Sequence, residues 1–351
     1  MTDGIGAAGT GGAVTNQIGA AVRDLLDPVE VYGRDGTWSE PAERAACERL
    51  ADGGWLGVGL PEQLGGSGGD LRDAAAVAGA CAAAGHRLPV ADAGIVAAHV
   101  LAVSGLRGPA GLVLPVAAAG TLRDGQVHVR AERVPFARWA TSLLIVADDG
   151  SGSRACLIDA DAADIRAGHN LAGEPRDTVV VEGVRPTAAA DAGGEILDQL
   201  HRAGALARAI QMAAAIERML ELAISYCGQR HQFGRSLSQF QAVQQQLALL
   251  AAETFAARAA VQRALALIGP GEWAAEPVAV AKVRTGMAAT AAAAIAHQLH
   301  GAIGITTEYA LHRFTTPVWS WREEYGSERH WSAALAAECG SDVWAALTAS
   351  S

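Results

Sequence analysis

The residues best suited to chemistry lie in the C-terminal half of the 351-residue chain, from Arg230 onward. A long helical pattern ends in Arg230-His-Gln-Phe233-Gly234, followed by Phe240-Gln241. One reading is architectural: Arg230 complements the negative end of its helix and Phe233 plugs a helical bundle. The other is chemical: Arg230 reaches a pyrophosphate, for which guanidinium offers a fixed fork of donors that lysine lacks. A second segment, Gln298-Leu-His-Gly301-Ala-Ile-Gly304, closes another helical pattern and leads into Thr307-Glu308-Tyr309. Glycines directly after a helix expose amides and admit a ligand close to the backbone. Gln298 can both donate and accept, as an adenine or ribose edge requires. Gly301 equally suits a helix cap, and Thr307 an N-cap with Glu308 in the next first turn.

Other chemistries find less support. His297 and His300 share one helix face at i,i+3, but no carboxylate or cysteine completes a metal set around them, so they are read as structural. The cluster Gly65-Gly66-Ser67-Gly68-Gly69 is neither a dinucleotide fingerprint nor a P-loop, and is assigned a turn with a packing role. No GxSxG elbow presents a serine nucleophile. The five cysteines are dispersed without a CxxC pair, which points to a reducing cytoplasm. A formal net charge of -10 argues against broad nucleic-acid contact while leaving room for a nucleotide cofactor. The opening stretch, residues 1–19, has no basic region before an apolar core and reads as a loose tail. The apolar run from Gly111 to Gly120 is too short for a bilayer, so no membrane role is expected.

Half the residues are hydrophobic but only 5% are aromatic, and much of the apolar content is alanine. That composition favours many closely packed helices. Ser39 is placed to cap a helix over Ala42–Leu50. A glycine-rich loop follows from Gly53 to Asp70, then helices over Leu71–Ala84 and Ala91–Ser104. Between residues 110 and 183 the pattern changes to short β-branched runs at Gln126–Arg130, Ser142–Ala147, Arg154–Ile158 and Thr178–Glu182. These read as a small antiparallel sheet. Long helices return over Gln199–Tyr226, Phe240–Leu267 and Pro277–Leu299, broken at Gly269-Pro270-Gly271, and suit a bundle. The expected fold is mainly α with a small β domain: an N-terminal helical domain over 14–110, a reduced β domain over 111–190 and a helical bundle over 195–347.

These two C-terminal segments resemble the paired signatures of the acyl-CoA dehydrogenase family of flavoproteins, in order, separation and helical setting. Leu56-Gly-Val-Gly-Leu-Pro61-Glu62-Gln-Leu-Gly65-Gly66 is similar to that family's N-terminal loop. The resemblance implies an N-terminal helical domain, a middle β domain and a C-terminal four-helix bundle. It also implies FAD as cofactor, braced across a subunit boundary by Arg230, Phe233, Gly234, Gln241, Gln298, Gly301 and Gly304. The family's Thr-Glu-Pro loop and tryptophan strand, which surround the flavin, have no counterpart here. Trp139 stands in a different context and receives no flavin role.

The family reaction takes an α proton from an acyl-CoA with a carboxylate while a β hydride leaves to flavin. Counting from Gln298, the family's Glu-Gly-Thr/Ser triplet falls on Tyr325-Gly326-Ser327; a phenol is a poor base at neutral pH. The alternative placement, counted back from Arg230, falls near Gly204 with Ala203 and Ala205 beside it. No catalytic residue is therefore assigned. Glu324 is expected as a solvated charge or a partner of Arg322 or Arg329, and is the displaced base if the chain works alone. The resemblance is to short subunits that pair with a longer catalytic sister, as an α2β2 heterotetramer, in steroid or lipid side-chain breakdown. It implies α,β-desaturation of an acyl-CoA with electrons passed to an electron-transfer flavoprotein. A homo-oligomeric dehydrogenase using Glu324 and a non-enzymatic scaffold are the alternatives.

Overall fold

The computed structural model describes residues 7–339 apart from Pro270 and Glu272. Residues 1–6 of the expected tail and 340–347 of the expected bundle range lie outside the described residues. The chain divides into two compact units, residues 1–207 and 208–351.

The first unit opens with α1 (Ala7–Leu26), where a loose tail was expected. It packs on α2 (Glu40–Asp52) and α3 (Leu71–Ala83). A Gly- and Thr-containing segment gains helical order from such tertiary packing. Ser39 caps α2 as expected, accepting from the Ala42 amide. At α3 a capping box closes between Asp70 and Asp73, each side chain accepting from the other's backbone amide. The expected helix over Ala91–Ser104 is divided: a π-helical segment over Asp92–Ala97 precedes α4 (Ala98–Ser104).

The loop between α2 and α3 turns on itself through two 3-10 turns, at Trp55–Gly57 and Glu62–Leu64. Its glycine cluster does pack closely. A Cβ at Gly66 would stand 2.0 Å from the Leu60 carbonyl oxygen. Backbone there cannot swing aside as a side chain does. Gly66→Ala should therefore cost about 1–3 kcal/mol, the usual penalty of overpacking, and lower the thermal midpoint; an unchanged midpoint would refute the packing role.

The β region is larger than the four expected strands. Seven strands, β1 (Val113–Arg123), β2 (Gln126–Pro135), β3 (Ser142–Asp148), β4 (Ser153–Asp159), β5 (Asp164–Arg166), β6 (Arg176–Val184) and β7 (Ala188–Asp191), form one sheet. Their order is β5-β6-β2-β1-β3-β4-β7. The sheet is also not wholly antiparallel, since β1 runs parallel to β3. Asp124-Gly125, with φ of 51° and 70°, turns β1 into β2, the positive-φ pair that two-residue hairpins favour. Pro115 fits inside β1 because it pairs there with Leu144 of β3, whereas pairing to β2 is confined to Thr121–Arg123. Proline is tolerated where one side of a strand is unpaired. Val116, Val127, Ile145, Ile158 and Val179 are wholly buried on this sheet.

Two carboxylates of α2 tie that helix to its surroundings within the first unit. Glu43, fully buried, accepts from Trp38 Nε1 at 2.8 Å and the Arg87 amide at 2.8 Å, and faces His86 Nδ1 at 3.0 Å. Trp139 donates through Nε1 to Glu40 at 3.0 Å, so this tryptophan braces α2.

The second unit holds α5 (Ile196–Gln229) from Arg208 onward, then the hairpin β8 (His231–Gln232) and β9 (Arg235–Ser236). It continues with α6 (Gln241–Leu267), α7 (Ala275–His300), α8 (His312–Trp321) and α9 (Glu328–Cys339). Helix α7 packs on both α6 and α9, and its buried Ala281, Ala288, Ala292 and Ala296 permit close approach. Lys282, buried on the same helix, donates from Nζ to the carbonyls of Trp321 at 2.9 Å and Arg322 at 2.7 Å. It thus satisfies the end of α8, and burial draws its pKa down to about 8. Among the described residues only 275–305 is long and apolar enough to cross a membrane. The buried, bonded Lys282 and Thr285 mark it as a core helix.

Candidate functional site

The expected site residues lie, in the second unit, along the β8–β9 hairpin between the end of α5 and the start of α6, and at the end of α7. Arg230 follows α5; its amide donates to Tyr226 O and its carbonyl accepts from Leu237 N, both at 2.8 Å. These bonds fix the start and close of the β8–β9 hairpin. Its two turn residues, Phe233 and Gly234, have φ of 52° and 79°, so the expected turn is a positive-φ hairpin. Phe233 does not plug the bundle. It is 91% exposed, with Phe240 edge-on at 6.3 Å and Arg235 stacked over Phe240 at 4.0 Å. A phenylalanine held left-handed costs about 1–2 kcal/mol, and among the described residues nothing repays that by burying the ring.

Arg230, Gln241 and Gln298 are all exposed. Among the described residues no carboxylate pairs with the Arg230 guanidinium. Donors and acceptors suited to a pyrophosphate and a nucleoside edge are thus displayed and unspent, and the residues fit such a group.

The two glycines of the second segment do different work. Gly301 ends α7 with φ 63° and ψ -142°, and open space surrounds its Cβ position; it is there for its backbone conformation. Gly304 is buried, and a Cβ on it would come 2.7 Å from His300 Cβ and 3.3 Å from Leu311 Cδ2. Thr307 does not cap a helix: α8 begins at His312.

The base-equivalent region is filled. Arg208 lies one turn after Gly204 on α5, hence on the same helix face. It is 1% exposed and donates through Nε to Glu324 at 2.6 Å and through Nη1 to Gln211 at 2.7 Å. Its guanidinium also lies 5.4 Å from the centre of the Tyr325 ring. Glu324 is therefore neither a solvated charge nor a partner of Arg322, which pairs with Glu328 at 2.6 Å. Its carboxylate is already engaged by that buried guanidinium, so Glu324 is badly placed to act as a base. Sequence reading missed Arg208. Its signal was a single charge inside the apolar run Gly204–Ala215, where an unpaired arginine would be prohibitively costly.

Other reactive groups are quiet. Burial pushes the thiols of Cys47, Cys81 and Cys227 up, and that of Cys156 to about 11. None is a ready thiolate at neutral pH. In the first unit a cavity of about 200 Å³ lies beneath the glycine-rich loop, lined by Gly57, Leu60, Ser67, Ala97, Leu101 and Val113 among others. Its walls carry no ionisable side chain.

Burial lowers the pKa of His99, His297 and His300. A histidine depressed in the folded state contributes stability fully present above its unfolded pKa, about 6.5, and lost as pH falls through the folded value. The thermal midpoint should therefore fall between pH 7 and 5. Glu328 acts in a lower window: burial would raise its carboxyl, but the Arg322 hydrogen bond and charge outweigh that and hold it low. A midpoint flat from pH 7 to 5 would contradict the histidine account.

Residues 15–106 match the acyl-CoA dehydrogenase N-terminal domain and residues 195–329 the acyl-CoA dehydrogenase C-terminal domain. The chain belongs to the acyl-CoA dehydrogenase family. It is 36% identical over 110 residues to acyl-CoA dehydrogenase IpdE2 of Mycobacterium tuberculosis, covering 31% of this chain and 33% of that protein. With IpdE2 of Mycolicibacterium smegmatis it is 26% identical over 276 residues, 76% of this chain and 78% of that one. The first two curated relatives are matched over only 33% and 25% of their own length. Among solved structures, a chain of the ChsE4-ChsE5 complex from Mycobacterium tuberculosis superposes with a TM-score of 0.81 at 20% identity. The superposition covers 92% of this chain and 96% of that one, a likeness of fold. The mainly helical architecture with a reduced central sheet is the family's.

Proposed function

We propose that this chain is the supporting subunit of a heteromeric acyl-CoA dehydrogenase, bracing FAD held chiefly by a longer catalytic partner. The observation that carries this reading is the use made of Glu324. The carboxylate beside the base-equivalent Tyr325 is bound to a buried guanidinium at 2.6 Å, while Arg230, Phe233, Gln241 and Gln298 face outward. The residues expected to grip a dinucleotide are displayed, and the carboxylate nearest the base position is already committed.

Arg230 would hold the pyrophosphate through paired donors, and Phe233 would cover the cofactor's neighbourhood against water. Gln241 and Gln298 would orient the adenosine end, with the Gly234 turn and the Gly301–Gly304 backbone setting how closely it approaches. FAD, when bound, accepts the β hydride of the acyl-CoA. The partner supplies the flavin cradle and the carboxylate that takes the α proton. The product is an α,β-unsaturated thioester of lipid or steroid side-chain type, and electrons pass to an electron-transfer flavoprotein. Similarity to a chain of a two-protein complex supports pairing with a second protein, for which an α2β2 heterotetramer is the proposed assembly, and four buried free thiols suit the cytoplasm.

The test is flavin content and mass, first of the chain alone and then of a co-expressed pair. Little FAD on the single chain and a yellow heteromer are expected. Stoichiometric flavin on the single chain, bleached rapidly by an acyl-CoA, would refute the supporting role and favour the self-sufficient alternative.

A further inference from the structure

Three aromatic rings join the two segments that display the outward-facing residues. Tyr226 stands one helical turn before Arg230 on α5. His300 lies two residues after Gln298 and directly before Gly301. Tyr309 follows Thr307-Glu308. The Tyr226 and His300 rings stack at 4.7 Å with an interplanar angle of 28°. His300 and Tyr309 meet at 4.8 Å and 51°, and Tyr309 closes edge-on against Tyr226 at 5.9 Å. His300, the central member, is 3% exposed. Its Nδ1 lies 2.7 Å from the Ala296 carbonyl, which can only accept, so Nδ1 carries the proton.

Both neighbours of this stack are fixed by it. Gly304 packs so closely on His300 that a Cβ there would stand 2.7 Å from the His300 Cβ, from which the stacked ring hangs. The Tyr309 carbonyl lies 2.8 Å from His312 Nδ1 at the first turn of α8. Tyr226 belongs to the same turn whose carbonyl receives the Arg230 amide at 2.8 Å. Movement of either segment thus displaces a ring on which the other rests. Packed aromatic contacts resist continuous deformation.

We propose that Tyr226, His300 and Tyr309 are positioning residues that couple the Arg230–Gln241 segment to the Gln298–Gly304 segment, so that the two halves of the cofactor grip are set as one unit. The functional part rests on the FAD-bracing reading above; the mechanical coupling does not.

The experiment separates the two. Tyr309→Leu removes one ring from the second segment, and amide hydrogen exchange is read in the first, over residues 228–240 of the full chain alone. Exchange there should rise about tenfold, although the substitution lies far away in sequence. His300→Ala should do the same, and His300→Phe, which keeps the ring, should restore most of the protection. Flavin retention is then measured on the co-expressed heteromer. Faster exchange with weaker retention supports both statements. Faster exchange with unchanged retention keeps the coupling and removes the cofactor reading. Loosening confined to residues 298–312, or flavin loss with residues 228–240 unchanged, overturns the coupling. Should His300→Ala fail to fold, the half-buried Tyr309 variant decides alone.

Discussion

Arg208→Met is expected to destabilise the second unit by about 3–5 kcal/mol, the usual penalty for removing one partner of a buried ion pair. The substitution keeps the volume and apolar stem but leaves Glu324, 9% exposed, without its guanidinium. It also removes the donor to Gln211 and the cation beside the Tyr325 ring. Glu324→Met alone should be comparably harmful, since it leaves the arginine charge buried. The double variant Arg208→Met/Glu324→Met should regain most of the loss, because a buried pair replaced by well-packed apolar groups is often neutral or stabilising. Denaturant unfolding of all four proteins completes the cycle and isolates the coupling between the two side chains. Singles within about 1 kcal/mol of the parent would show that the pair is not a committed structural contact. Glu324 would then return as a candidate base.

That pair also shows where sequence reading reached its limit. Ser39, the capped start of α2 and the long helices α5 to α7 were legible because caps and helical spacing are local. The Phe233-Gly234 turn was legible for the same reason. The partner of Glu324 was not, because it lies 116 residues away, and local reading can offer only neighbours such as Arg322 and Arg329. Strand β1 was hidden by Pro115 and an alanine run, both poor strand signals. What admits the proline is that β2 pairs only farther along, a fact of topology. The exposure of Phe233 was equally illegible, since a phenylalanine at a helix end more often points inward. The candidate site residues were proposed from their segment patterns; the aromatic stack beside them was visible only once the chain was folded.

Arg230→Leu should weaken FAD retention by the co-expressed heteromer about 10- to 100-fold, as expected when a charge-assisted contact worth about 1.5–3 kcal/mol is lost. Because Arg230 is exposed and its backbone bonds survive the change, the stability of the chain itself should move by no more than about 0.5 kcal/mol. Arg230→Lys should recover part of the affinity only, since an ammonium restores charge but not the paired donors. Retention should also become less sensitive to salt in the leucine variant, because the screened interaction has gone. Phe233 offers the complementary test through strain. Asparagine accepts the left-handed turn position that phenylalanine resists, so Phe233→Asn should stabilise the free chain by about 0.5–1 kcal/mol. The same change should loosen flavin in the heteromer, because the exposed ring is what the strain preserves. Stability and retention moving in opposite directions is the signature of a residue kept for a partner. If Phe233→Asn leaves retention intact and Arg230→Leu does likewise, the cofactor lies elsewhere and the supporting role through this face is refuted.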